Sequence, residues 1–404
     1  MANNPSKAGG TGPNTSGNAG PTMPDLPPSK ALQWFLLVAF CVSGAAYVVN
    51  ECTELSSSDA HKHYDSRLRR QVQSQSAYLS HSSAGNDAFV KKRYEQAVSE
   101  YRLALQGQNN AEGHDLLAKA LLKQGSPEAA FAQFREALRL DPGLTDAASA
   151  WSMALIQEGR AEEASKILHD ALQKHPDNGV LNYNLATTLL QMQTDAEGRR
   201  RLASAANQTK EAEGAETESK NLAAAALPHF TKASRNGVDS SVFWCSYGQL
   251  LNQLGSYAEA EPCLVRAATE DAANAPAHFQ LAVAEGHLGK YAPAIEHYEK
   301  VLTLTPDDPA TLNNMALLYA TATNTDVRSP KMAEQLATRA CDATTDQNAR
   351  YMDTLARCYA ADGNFFQAIA WEDKAVHRAM QLNDADLAKE LQQRYDLLVD
   401  HKTE

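Results

Sequence analysis

The sequence predicts an all-α fold, an α-solenoid of about eight helix-turn-helix units, and three observations carry it. Ala97, Ala130, Ala164, Ala226, Ala260, Ala294, Ala333 and Ala368 recur at steps of 33, 34, 62, 34, 34, 39 and 35 residues. A second ladder, Ala104, Ala137, Ala171, Ala233, Ala267, Val301, Ala340 and Ala375, repeats those steps seven residues further on. Apolar residues make up 43% of the 404 residues and aromatics only 7%, without the dense Val and Ile runs that build sheets. A solenoid grows by adding units, so the length counts repeats rather than domains.

Residues 1–30, rich in Asn, Gly, Pro, Ser and Ala, are expected to form a disordered tail. Ala31 to Val49 then runs nineteen residues without a charge. As a helix this is roughly 28 Å, close to one hydrocarbon thickness. Trp34 and Tyr47 stand near its ends, where rings with polar tips suit the membrane interface. Residues 31–50 are therefore read as a single transmembrane helix. Three rivals fit less well: a signal peptide cut after Gly44-Ala45-Ala46 has an atypically long leader, a lipoprotein anchor at Cys52 lacks small apolar residues at Val49-Asn50-Glu51, and a buried soluble helix lacks neighbouring segments to surround it. Orientation is divided. Lys62, Arg67, Arg69 and Arg70 argue for a cytoplasmic repeat domain, whereas Glu51, Glu54 and the commoner N-inside arrangement argue for the periplasmic side. The expectation is the latter. Residues 51–77 read as a polar linker.

The clearest unit is 243–273, where Trp244, Tyr247, Gly248 and Leu251 share one helical face and Gly255 ends that helix. Ala260, Leu264 and Ala267 face back from the second helix, and the small residues let the two approach closely. The 62-residue step places 28 extra residues in the fourth unit. They lie within 191–221, a segment rich in Arg, Glu, Lys and Thr that lacks an apolar face wide enough to pack. It is expected either to lengthen the helices as a charged hairpin or to stay disordered.

These residues resemble the tetratricopeptide repeat, whose first helix carries Trp, Leu-Gly and Tyr and whose second carries Ala, an aromatic, Ala and Pro. Residues 111–142 match through Gly125, Ala130, Phe134, Ala137 and Pro142, and residues 145–176 through Leu155, Gly159, Ala164, Leu168, Ala171 and Pro176. The unit ending at Pro306 matches through Leu281, Gly289, Tyr291, Ala294 and Tyr298. The resemblance covers about residues 78–379 and implies a TPR-type solenoid in a membrane-anchored protein. In the first unit Gly85-Asn86 interrupts the apolar face, which suggests a frayed N-terminal cap. The seventh and eighth units look like a variant pair with a loop extension around Asp326 and Arg328. Within 380–404, a helix from Asp384 to Val399 looks like the polar-faced cap that an open stack requires.

In that family the first helices line a concave groove, and the residue before the first-helix Leu or Tyr points into it. Here this register holds Leu116 and Ala150, then Asn184, Ser246, Gln280, Asn314 and Thr354. Amides pair with both N–H and C=O groups of an extended peptide, so the polar stretch would hold a backbone without reading much sequence. It is similar to the asparagine ladder of O-linked N-acetylglucosamine transferases, although no glycosyltransferase domain follows. Tyr183, Phe279, Asn313 and Arg350 are neighbouring groove candidates. A dicarboxylate clamp is not expected, because no second basic residue accompanies Arg350.

The formal charge of −12 argues against a nucleic-acid partner. The six cysteines form no CxxC pair, and Cys245 is expected on the concave wall, open to modification. His61 and His63, the only tight histidine pair, make a poor metal site in a polar segment. No phosphate loop, dinucleotide fingerprint, HExxH or nucleophile elbow is present. No catalytic residue, cofactor or metal is therefore expected. The reading is a non-catalytic, membrane-tethered scaffold whose groove binds a protein or an extended peptide. The alternatives are an envelope assembly or chaperone-like factor and an accessory module of a glycosyltransferase system.

Overall fold

The computed structural model describes residues 57–206 and 208–400, with side chains from His63 onward. The tail expected at 1–30 and the transmembrane helix expected at 31–50 lie outside the described residues. Internal contacts divide the chain into Met1–Gln75 and Ser76–Glu404. The described part of the first is helical, and the packing below belongs to the second.

The described residues form seventeen helices and no strand. Unit 1 pairs α1 (Ser57–Val90) with α2 (Tyr94–Gly107), and unit 2 pairs α3 (Ala111–Lys123) with α4 (Pro127–Leu140). Units 3 and 4 follow as α5 (Thr145–Gln157) with α6 (Ala161–Lys174) and α7 (Gly179–Ala205) with α8 (Thr209–Arg235). Units 5 and 6 are α9 (Ser241–Gln253) with α10 (Tyr257–Glu270) and α11 (Ala275–His287) with α12 (Tyr291–Leu304). Units 7 and 8 are α13 (Pro309–Thr321) with α14 (Pro330–Ala343) and α15 (Ala349–Ala361) with α16 (Phe365–Gln381). The last helix, α17 (Ala385–Val399), closes the stack. Among the described residues, no helix is long and apolar enough to cross a membrane.

Both small-residue ladders lie where helices cross. All eight alanines of the first ladder are fully buried, and no member of the second is more than 5% exposed. Midway between them each second helix carries a larger core residue: Tyr101, Phe134, Leu168, Phe230, Leu264 and Tyr298 in units 1 to 6. Small residues bring the helices together and these side chains fill the space so framed. The helix-ending turns follow the same economy. At Gly255, φ is 75°, and Ser256 N–H donates to Leu251 C=O at 2.8 Å, the bond that closes a helix through a left-handed residue.

Three expectations are refined or corrected. The described part of the expected linker, residues 57–77, is helical, and the segment contains neither Gly nor Pro to stop α1. Gly85-Asn86 does not fray unit 1. A Cβ at Gly85 would lie 2.5 Å from Tyr101 Cε1, and the Tyr101 hydroxyl donates to Asn86 Oδ1 at 2.7 Å. The glycine lets a second-helix ring rest on the first helix. Finally, insert 191–221 takes the first of its two expected forms, a hairpin that extends the helices, but it also packs. It lengthens α7 and α8 to 27 residues each, and they meet through buried Ala196, Ala203, Ala212, Ala215 and Ser219. A stripe of small side chains is a sufficient contact face when the helices come close. Ser219 donates to Glu197 Oε1 at 2.7 Å, and Arg199 pairs with Glu218 at 2.7 Å.

Candidate functional site

First helices of neighbouring units touch one another from unit 2 to unit 4 and from unit 5 to unit 8, as α5 does α7, α9 does α11 and α13 does α15. Second helices of neighbouring units make no comparable contact. Helices on the inside of a curved stack are the ones that converge, so the first helices form its inner wall.

The polar register runs along this wall, and much of it is tied from unit to unit. Asn184 is buried, and its Nδ2 donates to Ser149 Oγ on α5 at 2.6 Å. Tyr183 is half-buried, its ring 6.1 Å from Phe230 and 5.4 Å from Phe243. Burial pushes its hydroxyl pKa up, opposed by a hydrogen bond with Ser246 of the next unit. Ser246 also donates to Val242 C=O at 2.9 Å. Gln280 accepts from Asn252 Nδ2 through both its backbone carbonyl, at 2.8 Å, and its side-chain oxygen, at 3.1 Å. Asn313 is buried and donates to Asn314 Oδ1 at 3.3 Å, and Asn314 also meets the Tyr298 hydroxyl. Phe279 packs half-buried against Tyr298, with ring centres 6.0 Å apart. Thr354 is buried and donates to Arg350 C=O at 3.1 Å.

Arg350, the fourth neighbouring groove candidate, is exposed and lies 3.7 Å from Glu390 of the capping helix. Cys245 departs from expectation. It is buried, and burial raises its thiol pKa, so it is not the open wall thiol that its register suggested. Burial, the largest cause, also pushes Cys263 up to about 11 and Cys341 and Cys358 to about 12. All four are free thiols.

Two features escaped the sequence reading. Ser149 and Asn252 complete the inter-unit bonds, although nothing in a single unit marks them. Three residues beyond the ladder, on the same helical face, stand Thr187, Gln249, Val283 and Leu317. From α7 to α13 neither the ladder nor this second row carries a charge, in a chain whose net charge is −12. Charge returns at the ends, with the Asp115-Lys119 pair in unit 2 and Asp353, Arg350 and Arg357 in unit 8.

Unit 6 also holds a titratable cluster. His278 Nδ1 and His297 Nδ1 are 3.1 Å apart, His278 Nε2 lies 3.3 Å from Ala272 C=O, and His297 Nε2 lies 3.8 Å from Glu285 Oε1. The carbonyl can only accept, so His278 Nε2 is the donor to it. Burial, then the neighbouring His278, holds the His297 pKa down. Glu285 occupies the core slot filled elsewhere by Leu121, Leu155 and Leu251, and burial followed by Glu261 pushes it up to about 7. Among the described residues, no group of three or more His, Cys, Asp or Glu stands at metal-holding distances.

Family models described as tetratricopeptide repeat match residues 82–145, 121–170, 155–226 and 242–274, and one described as TPR repeat matches 287–322. No curated protein matches the chain. Among solved structures it is similar to the pilF protein of Pseudomonas aeruginosa, at 19% identity, over 60% of this chain and 99% of that one, with a TM-score of 0.48. It is also similar to YrrB, described as a TPR protein with an unusual peptide-binding site, at 20% identity, over 53% and 96%, with a TM-score of 0.42. A tetratricopeptide repeat protein from Parabacteroides merdae aligns at 15% identity, over 70% and 98%, with a TM-score of 0.41.

Proposed function

We propose, since the chain belongs to the tetratricopeptide-repeat family, that it is a non-catalytic scaffold held at a membrane by residues 31–50. Its inner wall would hold an extended segment of a protein or peptide, not a nucleic acid, with the repeats outside the cytoplasm on the periplasmic side. The observation that carries this reading is the uncharged, amide-bearing stretch of wall from Asn184 to Asn314. Side-chain amides satisfy peptide N–H and C=O groups alike, and a wall without charge leaves no ion to strip of water when it is covered. The uncharged run at 31–49 supports the anchor, and the lack of phosphate, metal or nucleophile motifs supports a role in binding.

The same wall chemistry favours a second reading, an assembly or chaperone-like factor of the cell envelope. Amides that pair with backbone rather than side chains would hold many different extended segments.

Gln280 and Asn314 are half-buried wall residues whose loss spares the Asn184-Ser149 tie. Changing both to Ala is expected to weaken capture of a short fluorescent peptide of Ser, Gln, Val and Leu by roughly 5- to 50-fold, the worth of two hydrogen bonds. Helicity should be retained. Unchanged capture by a folded double variant would move the site off this wall. For the anchor, the full-length chain should sediment with membranes and resist alkaline carbonate extraction; full release would remove residues 31–50 from that role.

A further inference from the structure

The lengthened hairpin of unit 4 does not end in solvent. Its first helix exceeds the 13-residue first helices of units 2 and 3 by 14 residues, a reach of about 21 Å. At its tip Ser204 Oγ donates to Asp386 Oδ2 at 3.3 Å, and Arg200 Nη1 lies 3.7 Å from the same oxygen. Asp386 stands in the first turn of α17, 182 residues along the chain from Ser204. Arg200 is itself oriented by Glu197, which takes Arg200 Nε at 3.2 Å and the Ser219 hydroxyl at 2.7 Å. The Ser219 bond, then Arg200, holds the Glu197 pKa down, so the support stays ionised.

Elements this far apart along a curved stack meet on the side toward which it curves. Hairpin, units 5 to 8 and capping helix thus form a closed circuit, and the uncharged part of the inner wall lies along it. We propose that the hairpin tip and Asp386 are a latch, closing this wall around an extended, uncharged polypeptide segment and opening to admit or release it. The proposal rests on the reading of the wall as a binding surface.

The contact is built to open. Asp386 is largely exposed, and an exposed ion pair favours its closed form by at most about fivefold. The hairpin body behind it is held by the buried Ala196, Ala215 and Ser219, so opening is confined to the tip.

The test uses the full-length protein in detergent micelles. Asp386→Arg places like charges at the tip, and the swap Arg200→Asp with Asp386→Arg rebuilds the pair. Hydrogen exchange at 198–206 should quicken about fivefold in Asp386→Arg and return in the swap. Association and dissociation of the uncharged Ser, Gln, Val and Leu peptide should both quicken at least threefold in Asp386→Arg and recover in the swap. If exchange at the tip is unchanged, the contact does not hold the hairpin and the latch is overturned. A released tip with unaltered peptide kinetics also overturns it, because the wall is then reached by another route. If neither wild type nor variant captures peptide while the exchange results hold, the wall reading fails and the hairpin contact stands as structure only.

Discussion

Replacing Phe230 with Ala is expected to cost about 3–5 kcal/mol, the range for emptying a fully buried aromatic site. Phe230 has no exposed surface, and its ring lies 5.4 Å from Tyr247, 5.9 Å from Phe243 and 6.1 Å from Tyr183. It thus joins α8 to both α7 and α9, the seam between units 4 and 5. Stability in a stacked-repeat protein sums over units and their neighbours, so the loss should fall on that seam. Urea unfolding followed by circular dichroism should split into two transitions, with units on either side melting separately. Phe230→Leu should keep one transition and cost less than half as much, since Leu168 and Leu264 fill the equivalent slot in units 3 and 5. A loss below about 1 kcal/mol for Phe230→Ala would mean that the aromatic cluster does not couple the units.

The second large effect concerns Glu372, which stands in the register of Tyr101, Phe134 and Phe230. It is fully buried, and neither carboxyl oxygen meets a donor, so its one side-chain hydrogen bond, with Asp353, requires the protonated acid. Beside it, Asp353 of α15 is paired with Arg394 of α17. Burial, then the Asp353 charge, pushes the Glu372 pKa from 4.5 up to about 9, against Arg394 and Arg357. A raised acid binds its proton more tightly in the folded chain. Its contribution to stability is therefore complete below pH 4.5 and is lost as pH rises through about 9. By pH 7 the loss is on the order of 3 kcal/mol. Glu372→Leu is expected to remove this slope and raise the melting temperature most at pH 8 to 9. Glu372→Gln, which cannot ionise, should also flatten the slope without restoring the apolar filling. Melting curves between pH 5 and 9 check this, and a wild-type slope retained in both variants would place the titration elsewhere.

These two residues also mark what the sequence could and could not reveal. The alanine ladders and the large residue between them were legible because a helix crossing demands the same side-chain size in every unit. Read across units, the same register exposes Glu285 and Glu372 as acids in apolar slots, a signal available without coordinates. Gly85 was misread because its purpose is a contact with Tyr101, sixteen residues away in a different helix. The packing of residues 191–221 was missed because small side chains form a contact face without apolar bulk. Beyond the repeat, legibility ended. The Asn184-Ser149 and Asn252-Gln280 bonds depend on how units stack, and the meeting of Ser204 with Asp386 depends on the curvature accumulated over four units.

The central claim is that the inner wall of units 4 to 7 holds an extended polypeptide. A photo-crosslinking amino acid placed in turn at positions 249, 280 and 317 on the wall, and at position 300 on exposed α12, tests it in native membranes. The wall positions should each yield the same polypeptide adduct, competed away by the uncharged peptide, while position 300 yields none. Adducts of equal strength from position 300, or none from any wall position in the folded protein, would contradict it.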